Sequence, residues 1–592
     1  MKFNDLLLKF LIWRVKHIST KNFVLIISGV IGLIAGVAAV VLKESVHVIQ
    51  GALTRDFHQN LANYLYLSYP LIGIILTVLL TKYILKEKMG HGITDILYTI
   101  SKKSSIVKRT KTFSRMLTSA LTVGFGGSVG LEAPIVVTGS AIGSNIGRLV
   151  HLSYKQRTLL IGCGSAGAIS AIFNSPIAGV IFSIEVILSE ITISSFIPLL
   201  IASVAGALVS LTLLGDDVLF SFTLTEGFAA SDTPFYLFLG VFTGLVSLYF
   251  TRAVGRVEGL IKNVKGDFNR ALVGGVSLGF LIFILPPLYG EGYDTIKNLL
   301  QGNAQNLLNN SLFFSEIDSF FFMVLFVAAI ILIKPVATAL TLGSGGSGGI
   351  FAPSLFIGGV TGYLFAYLIN LTGIAEPIST SNFTLVGMSG VMSGVLHAPL
   401  TAIFLIAEIT SGYTLFVPLM IVSAISYSTI SYFEKYSLYT KPLIEKGDLI
   451  YHDKDRQVLS LIDLKKIVET DLLTIDPNAS LGSLVDLVRF SKRNIFPVVN
   501  EQQELMGIVT LDDIREIMFD TDSRKNIIVN TLMHSPPTYV SSKESMQSVM
   551  IKFEKTGAWN LPVIDEGKYI GFVSKSRIFN AYRKKLIRQQ ID

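Results

Sequence analysis

Residues 120–134, ALTVGFGGSVGLEAP, return as residues 339–353, ALTLGSGGSGGIFAP, with ten of fifteen positions identical and no gap. Both copies sit among long apolar runs, so a helix broken by glycines has been duplicated inside a chain that reads as membrane-embedded. A broken helix frees backbone N–H and C=O groups. At membrane depth these survive only where protein or a water-filled cavity satisfies them. Broken helices at corresponding places in two halves mark an ion or substrate site near the bilayer midplane. Such a chain is expected to move an ion.

The duplication extends beyond that motif. Upstream, Gly90-His91-Gly92 is echoed by Gly290-Glu291-Gly292; downstream, Gly164, Gly167, Pro176 and Glu185 fall on Gly387, Gly390, Pro399 and Glu408 with one constant offset. Three motifs in the same order twice define repeat halves at about 23–215 and 235–433. An inverted arrangement is expected, because it suits a site built from paired half-helices.

Charged residues make up only 15% of the 592 positions, and mean hydropathy is +0.58, which excludes an ordinary soluble protein. Spans able to cross a bilayer include 23–42, 192–214, 319–333 and 415–430. No cleavable signal is expected, since the first apolar span is about a bilayer long and lacks a clear cleavage site. Lys2, Lys9, Arg14, Lys16 and Lys21 precede that span and favour a cytoplasmic N-terminal segment, 1–22. The net charge of +7 suits cytoplasmic loops such as Lys102–Lys111 rather than nucleic acid, which is not expected as a partner. The single cysteine, Cys163, excludes an intramolecular disulfide and a cysteine metal cluster. No metal site and no catalytic residues are assigned.

After about Lys441 charges become dense and no span is long enough to cross a membrane. This tail carries its own repeat. In one copy LLTIDPNASLGSLVDLVRF, IFPVVN and GIVTLDDI follow one another; in the other, PTYVSSKESMQSVMIKF, NLPVID and GFVSKSRIF. Each reads as short strand, amphipathic helix, strand, turn, strand, helix, with a linker near 522–530. The fold class expected is therefore a mainly α-helical multipass membrane protein with inverted repeats and broken helices, followed by an α/β pair.

The glycine string of the first broken helix leads to Leu131, Glu132, Ala133 and Pro134. Glycines let the backbone turn and approach an ion closely, and proline just inside a helix start occupies a position whose N–H has no intrahelical partner. Free N–H groups with the positive end of the helix dipole form an anion site. The second copy supplies the same arrangement around Gly349, Ile350, Phe351, Ala352 and Pro353. Two helix N-termini converging on one point favour an anion, whereas a cation site would carry convergent carboxylates. The one acid in the paired motifs is Glu132, with Phe351 as its counterpart. An ionisable group inside a membrane segment costs roughly 2.5–3.5 kcal/mol on insertion scales. A carboxylate in an anion-binding turn can occupy the anion's own place and leave it when protonated or displaced. That describes a gate, with a helix cap as the alternative role.

These residues resemble the chloride channel (CLC) family of anion channels and anion/proton antiporters. GGSVGLEAP is similar to the family's glycine-rich motif with its gating glutamate, GSGGIFAP to its partner motif, GHGITDI to a third motif, and FNSPIAGVIFSIEV to the helix that follows the gate. The resemblance spans roughly 20–445 and implies a transport domain at 23–445. It also implies a homodimer in a lipid bilayer, at the plasma or inner membrane, with one pathway per subunit for chloride and other small anions. It makes Glu132 the outer gate and places chloride on backbone N–H groups of Leu131, Glu132, Ile350 and Phe351. Tyr439 matches the tyrosine whose hydroxyl contacts the central anion, with Tyr436 as the competing register and a membrane-interface anchor as the other role. The tail resembles a cytoplasmic tandem of CBS domains, at 466–522 and 529–586, after a linker at 446–465. Thr510 and Asp513 resemble the hydroxyl and acid that hold a ribose, so an adenine nucleotide is the one cofactor expected, with a purely structural pair as the alternative. In the second copy Ser574 is present but Arg577 replaces the acid.

Two departures bear on function. His91 replaces the family's central-site serine, with Thr94 where proline is common, although a ring N–H could still donate. Family antiporters carry an inner glutamate for proton entry directly after the position of Glu185, and that place is Val186. Glu190, one helical turn on, is the substitute proton carrier to consider. The preferred reading is a non-enzymatic, voltage-gated channel-like chloride transporter with a glutamate gate. The alternative is a chloride/proton antiporter of the same fold. Below these stand a fluoride exporter, a CBS-regulated divalent-cation transporter, which would need more pore acids, and a membrane-embedded enzyme. The last lacks both an HExxH motif and a P-loop lysine.

Overall fold

A computed structural model describes residues 3–55, 63–87, 92–188, 193–215, 227–309, 311, 320–373, 376–410, 412–448, 459 and 462–591. The chain divides into two compact units, Met1–Leu449 and Ile450–Asp592.

The first unit is helical. α1 (Phe3–His17) precedes the first half: α2 (Thr20–Thr54), α3 (Tyr69–Leu79), α4 (Gly92–Lys102), α5 (Ser114–Gly124), α6 (Glu132–Leu149), α7 (Tyr154–Phe173), α8 (Pro176–Phe182) and α9 (Ile193–Leu214). The second half comprises α10 (Thr233–Lys262), α11 (Asp267–Ile284), α12 (Tyr293–Leu300), α13 (Phe320–Gly343), α14 (Phe351–Thr372), α15 (Thr380–Leu396), α16 (Pro399–Ile409) and α17 (Phe416–Phe433). α18 (Lys441–Glu445) closes the unit. Eight helical stretches among the described residues are long and apolar enough to cross a membrane. The described residues of the expected spans fall within helices except for Leu415, which lies just before Phe416–Phe433, and the helices run past several of the spans, as where 23–42 becomes part of Thr20–Thr54.

The halves repeat in packing as well as in sequence. α2 packs on α7 and α9 as α10 packs on α15 and α17; α6 packs on α7 as α14 packs on α15; α5 contacts α2 and α3 as α13 contacts α10 and α11. Glycine allows the closest of these approaches. A Cβ on Gly164 would lie 1.9 Å from the Gly139 carbonyl oxygen, and one on Gly387 would lie 2.4 Å from that of Gly358. At the two broken helices Gly126 and Gly345 adopt φ of 88° and 101°, a region in which a side chain is strained. The turn that stops α5 and the turn that stops α13 are thus built by the same residue at the same place.

The halves also cap each other. The Glu408 carboxylate on α16 accepts from the N–H groups of Ile177 (2.9 Å) and Ala178 (2.8 Å) at the start of α8. Reciprocally, Glu185, on the π-helical turn that continues α8, accepts from the N–H groups of Leu400 (3.2 Å) and Thr401 (2.9 Å) and from the Thr401 hydroxyl (2.7 Å) at the start of α16. Both helices begin with proline at the first turn, where the remaining N–H groups have no partner within the helix. Both repeat-related glutamates thus act as helix caps.

The second unit carries two small sheets. β1 (Ile495–Val499) pairs antiparallel with β2 (Leu505–Thr510); β3 (Val540–Ser541) lies parallel to β4 (Asn560–Asp565), which pairs antiparallel with β5 (Lys568–Ser574). Helices Leu481–Phe490 and Met546–Thr556 hold equivalent places in the two copies. The segment expected as a linker near 522–530 contains a short helix, Thr521–Asn526, because Asp520 caps it by accepting from the Ser523 N–H at 2.9 Å. The copies interlock: Glu469 exchanges backbone hydrogen bonds with Phe572 of β5, and His534 does so with Ile508 of β2.

Replacing Glu408 with Ala strands two N–H groups in an apolar setting. This is expected to destabilise the helical unit by about 1–3 kcal/mol, read as a lower Tm in detergent. Glu408→Gln, whose amide oxygen can still accept one bond, should fall between Ala and the unsubstituted chain. Equal Tm values across the three would show that the cap contributes nothing.

Candidate functional site

The glycine turns that end α5 and α13 are joined directly. Gly130 N–H donates to the Gly349 carbonyl at 2.9 Å and Gly349 N–H to the Gly130 carbonyl at 2.8 Å. Around this pair the halves brace one another symmetrically. The Thr341 hydroxyl accepts from the Ser128 N–H (3.2 Å), and the Thr122 hydroxyl accepts from the Ser347 N–H (3.0 Å). The N-termini of α6 and α14 are consequently held side by side. Leu131, Glu132, Ile350 and Phe351 are all buried there, so the structure brings together the four residues expected to present N–H groups to an anion. Phe351 stacks near Phe173 and Phe182, with ring centroids 5.4 and 6.1 Å away.

Glu132 is 1% exposed, although it carries an ionisable group. Its Oε1 accepts a hydrogen bond from the Tyr293 hydroxyl. Its Oε2 has no hydrogen-bond partner among the described residues and lies over Gly130, where a Cβ would come within 2.0 Å of it. The carboxylate is thus folded back onto the junction of the two helix starts. Tyr439 is 5% exposed, and its hydroxyl has no partner among the described residues. The Thr94 hydroxyl at the start of α4 donates to the Tyr439 carbonyl at 2.9 Å, so the departure from proline at that position supplies a tether. Tyr436 is only partly buried, and the Lys435 ammonium lies over its ring. Tyr439 is the more buried of the two. His91 and Glu190 lie outside the described residues. Val186 is partly buried against the apolar core, and Glu185 beside it is committed to the start of α16.

Three residues escaped the sequence reading. Leu131 N–H donates to Glu291 Oε1 at 3.2 Å, so one of the N–H groups assigned to chloride is held by a carboxylate. Two residues further on, Tyr293 holds Glu132. Lys334, fully buried in α13, donates to the carbonyls of Leu288 (3.3 Å) and Gly290 (3.1 Å), with Phe356 4.7 Å away beneath its ammonium. A signal existed for two of them. Glu291 stands in the Gly-x-Gly echo of the His91 turn, and an ionisable group such as Lys334 inside an apolar helix marks a functional position by default. Tyr293 carried none.

In the tail, Asp513 Oδ2 accepts from both the N–H and the hydroxyl of Thr510, each at 2.7 Å, and lies 3.2 Å from His534 Nε2. Thr510 and Asp513 form the capping box of the helix that follows β2. They are adjacent, as the ribose-clamp expectation requires, but are bonded to each other. In the second copy the Ser574 hydroxyl donates to Glu469 at 2.5 Å and accepts from the Arg577 N–H at 3.2 Å.

Comparison with known proteins places these features in context. The sequence profile described as voltage gated chloride channel matches residues 72–431, and that of the CBS domain matches 464–520 and 529–584. An H(+)/Cl(-) exchange transporter ClcA of Vibrio cholerae is 28% identical over 417 residues, which is 68% of this chain and 84% of that protein. Chloride channel protein CLC-f of Arabidopsis thaliana is 25% identical over 569 residues, 84% of this chain and 70% of that protein. Among solved structures, a slow cyanobacterial Cl-/H+ antiporter shares the fold with a TM-score of 0.61 at 23% identity, covering 72% of this chain and 97% of that one.

Partial burial raises the Asp513 pKa. The two bonds from Thr510 and the proximity of His534 outweigh that and hold it below its ordinary 3.8. A carboxyl depressed on folding adds stability above its unfolded pKa, and that stability is lost as pH falls through the lower folded value. Asp513→Ala is therefore expected to lower the stability of the tail by about 0.5–2 kcal/mol at neutral pH, with the gap to the unsubstituted chain closing in acid below pH 3.8. Denaturant unfolding followed by Trp559 fluorescence checks both parts.

Proposed function

The chain belongs to the voltage-gated chloride channel family and carries a tandem pair of CBS domains, and from that premise we propose that it conducts chloride across a membrane under the control of the Glu132 carboxylate. The observation that carries the reading is the placement of this one acid. It is buried where the starts of α6 and α14 are held together by the Gly130–Gly349 pair. Helix N-termini favour negative charge, and the carboxylate and a chloride ion are alternative occupants of the same field. When Glu132 is ionised it competes with chloride; when protonated it withdraws its charge and chloride takes its place. The N–H groups of Ile350 and Phe351 with the Tyr439 hydroxyl form the remainder of the anion's surroundings. The CBS pair regulates this pathway, with an adenine nucleotide at Thr510 and Asp513 as the ligand to test. Binding there requires a ribose to replace the bonds now made within the Thr510–Asp513 capping box.

Proton-coupled exchange is the second reading, favoured by relatives named as H(+)/Cl(-) exchange transporters. It needs a proton path from Glu132 to the opposite side. Val186 cannot carry a proton, and Glu185 is occupied in capping α16. Passive conduction is therefore the preferred mode, with Glu190 as the substitute carrier if exchange occurs.

Purified protein in liposomes tests both readings. Chloride efflux from Glu132→Gln is expected to persist while its dependence on pH between acidic and neutral values is largely lost; a pH profile matching that of the unsubstituted chain removes Glu132 as the gate. With a chloride gradient imposed and internal pH recorded, passive conduction gives no sustained uphill proton movement. Such movement, abolished by Glu190→Gln, would establish exchange and name its carrier.

A further inference from the structure

The segment from Leu288 to Tyr293 lies across the carboxylate-bearing turn and touches it repeatedly. The Ser128 hydroxyl donates to the Leu288 carbonyl at 2.7 Å, and Gly290 N–H donates to the Gly126 carbonyl at 3.2 Å. The Tyr289 ring covers Gly126 closely enough that a Cβ there would lie 2.0 Å from it. Lys334 pins the segment from behind through the carbonyls of Leu288 and Gly290. From this anchored strap two side chains reach the anion junction, Glu291 to the Leu131 N–H and Tyr293 to the Glu132 carboxylate.

The chemistry of those two contacts differs. A hydroxyl donating to a carboxylate stabilises that carboxylate where it stands, so Tyr293 acts through Glu132 as a positioning residue. Glu291 instead presents a carboxyl oxygen to an N–H that the resemblance assigns to chloride. A buried lysine that fixes the strap keeps the Glu291 oxygen at that spot. The charged groups facing Glu291 are Glu132, Lys43 and Lys334.

We propose that the 288–293 strap is a two-point latch on the anion pathway, in which Tyr293 holds the Glu132 carboxylate in place and Glu291 supplies a tethered carboxyl oxygen that chloride must displace from the Leu131 N–H. The inference rests on the chloride-transport reading above and deepens it: two carboxylates, contributed by different halves of the repeat, compete with the transported ion at neighbouring positions. Apparent chloride affinity is thereby set by the strap as well as by the half-helix starts.

The test measures initial chloride flux against chloride concentration for the full chain in liposomes, together with chloride binding by calorimetry in detergent. Four proteins are compared: the unsubstituted chain, Tyr293→Phe, Glu291→Gln and Glu291→Asp. Losing one hydrogen bond to a charged group from the closed arrangement corresponds to a gain on the order of tenfold in apparent chloride affinity. That gain is expected for Tyr293→Phe and for Glu291→Asp, whose shorter side chain no longer reaches the Leu131 N–H, with KM lowered more than maximal flux is changed. Glu291→Gln keeps an acceptor oxygen at full reach and is expected to fall between Glu291→Asp and the unsubstituted chain. Unaltered affinity in Tyr293→Phe, or Glu291→Asp matching the unsubstituted chain, overturns the latch. Absence of chloride flux in the unsubstituted chain counts against transport instead, and the calorimetric affinities then decide the latch by themselves.

Discussion

The membrane unit depends on one reciprocal pair of backbone hydrogen bonds, Gly130 with Gly349. Breaking a helix inside a low-dielectric slab exposes N–H and C=O groups, each costing several kcal/mol if left unsatisfied. The two halves solve this together, each turn supplying what the other lacks, with Thr122 and Thr341 satisfying the next N–H on either side. Because the bonds cross between halves, neither broken helix is complete alone. The same pair holds the starts of the two following helices side by side, where the proposed anion site lies.

Acidic residues in this unit illustrate how position decides role. Glu185 and Glu408 are repeat partners, and each caps the helix start belonging to the other's half. Their charge is absorbed by four backbone N–H groups and one hydroxyl, and nothing in that geometry calls for a mobile proton. Glu132 sits at a helix start too, but one of its oxygens has no partner among the described residues, and its only repeat counterpart is the apolar Phe351. Among the five positions at which the paired motifs differ, this is the one where an ionisable group replaces a ring.

The tail follows separate rules. It buries two small apolar cores, one around Phe496, Val498 and Val509 that also takes in Val529, and another around Val540, Phe553 and Val563 that also takes in Leu464 and Ile467. Strand exchange through Glu469–Phe572 and Ile508–His534 ties them together. The Thr510–Asp513 capping box shows how a motif similar to a ligand clamp also serves as local helix chemistry.

Much of this was legible in the sequence. The glycine-broken repeat specified the paired half-helices, because few residues other than glycine tolerate the φ of 88° and 101° found at Gly126 and Gly345. Apolar length specified the spans, and the solitary acid of the paired motifs singled out Glu132. Local alternation in the tail specified its strands and helices. The contacts that complete the site were not legible. Tyr293 reaches Glu132 across 161 positions, Glu291 reaches Leu131 across 160, and Glu408 reaches Ile177 across 231. Periodicity and propensity report on neighbours a few residues apart. Which distant side chain meets a given N–H is decided by packing of one half against the other, where shape and the need to satisfy every buried polar group select the partner.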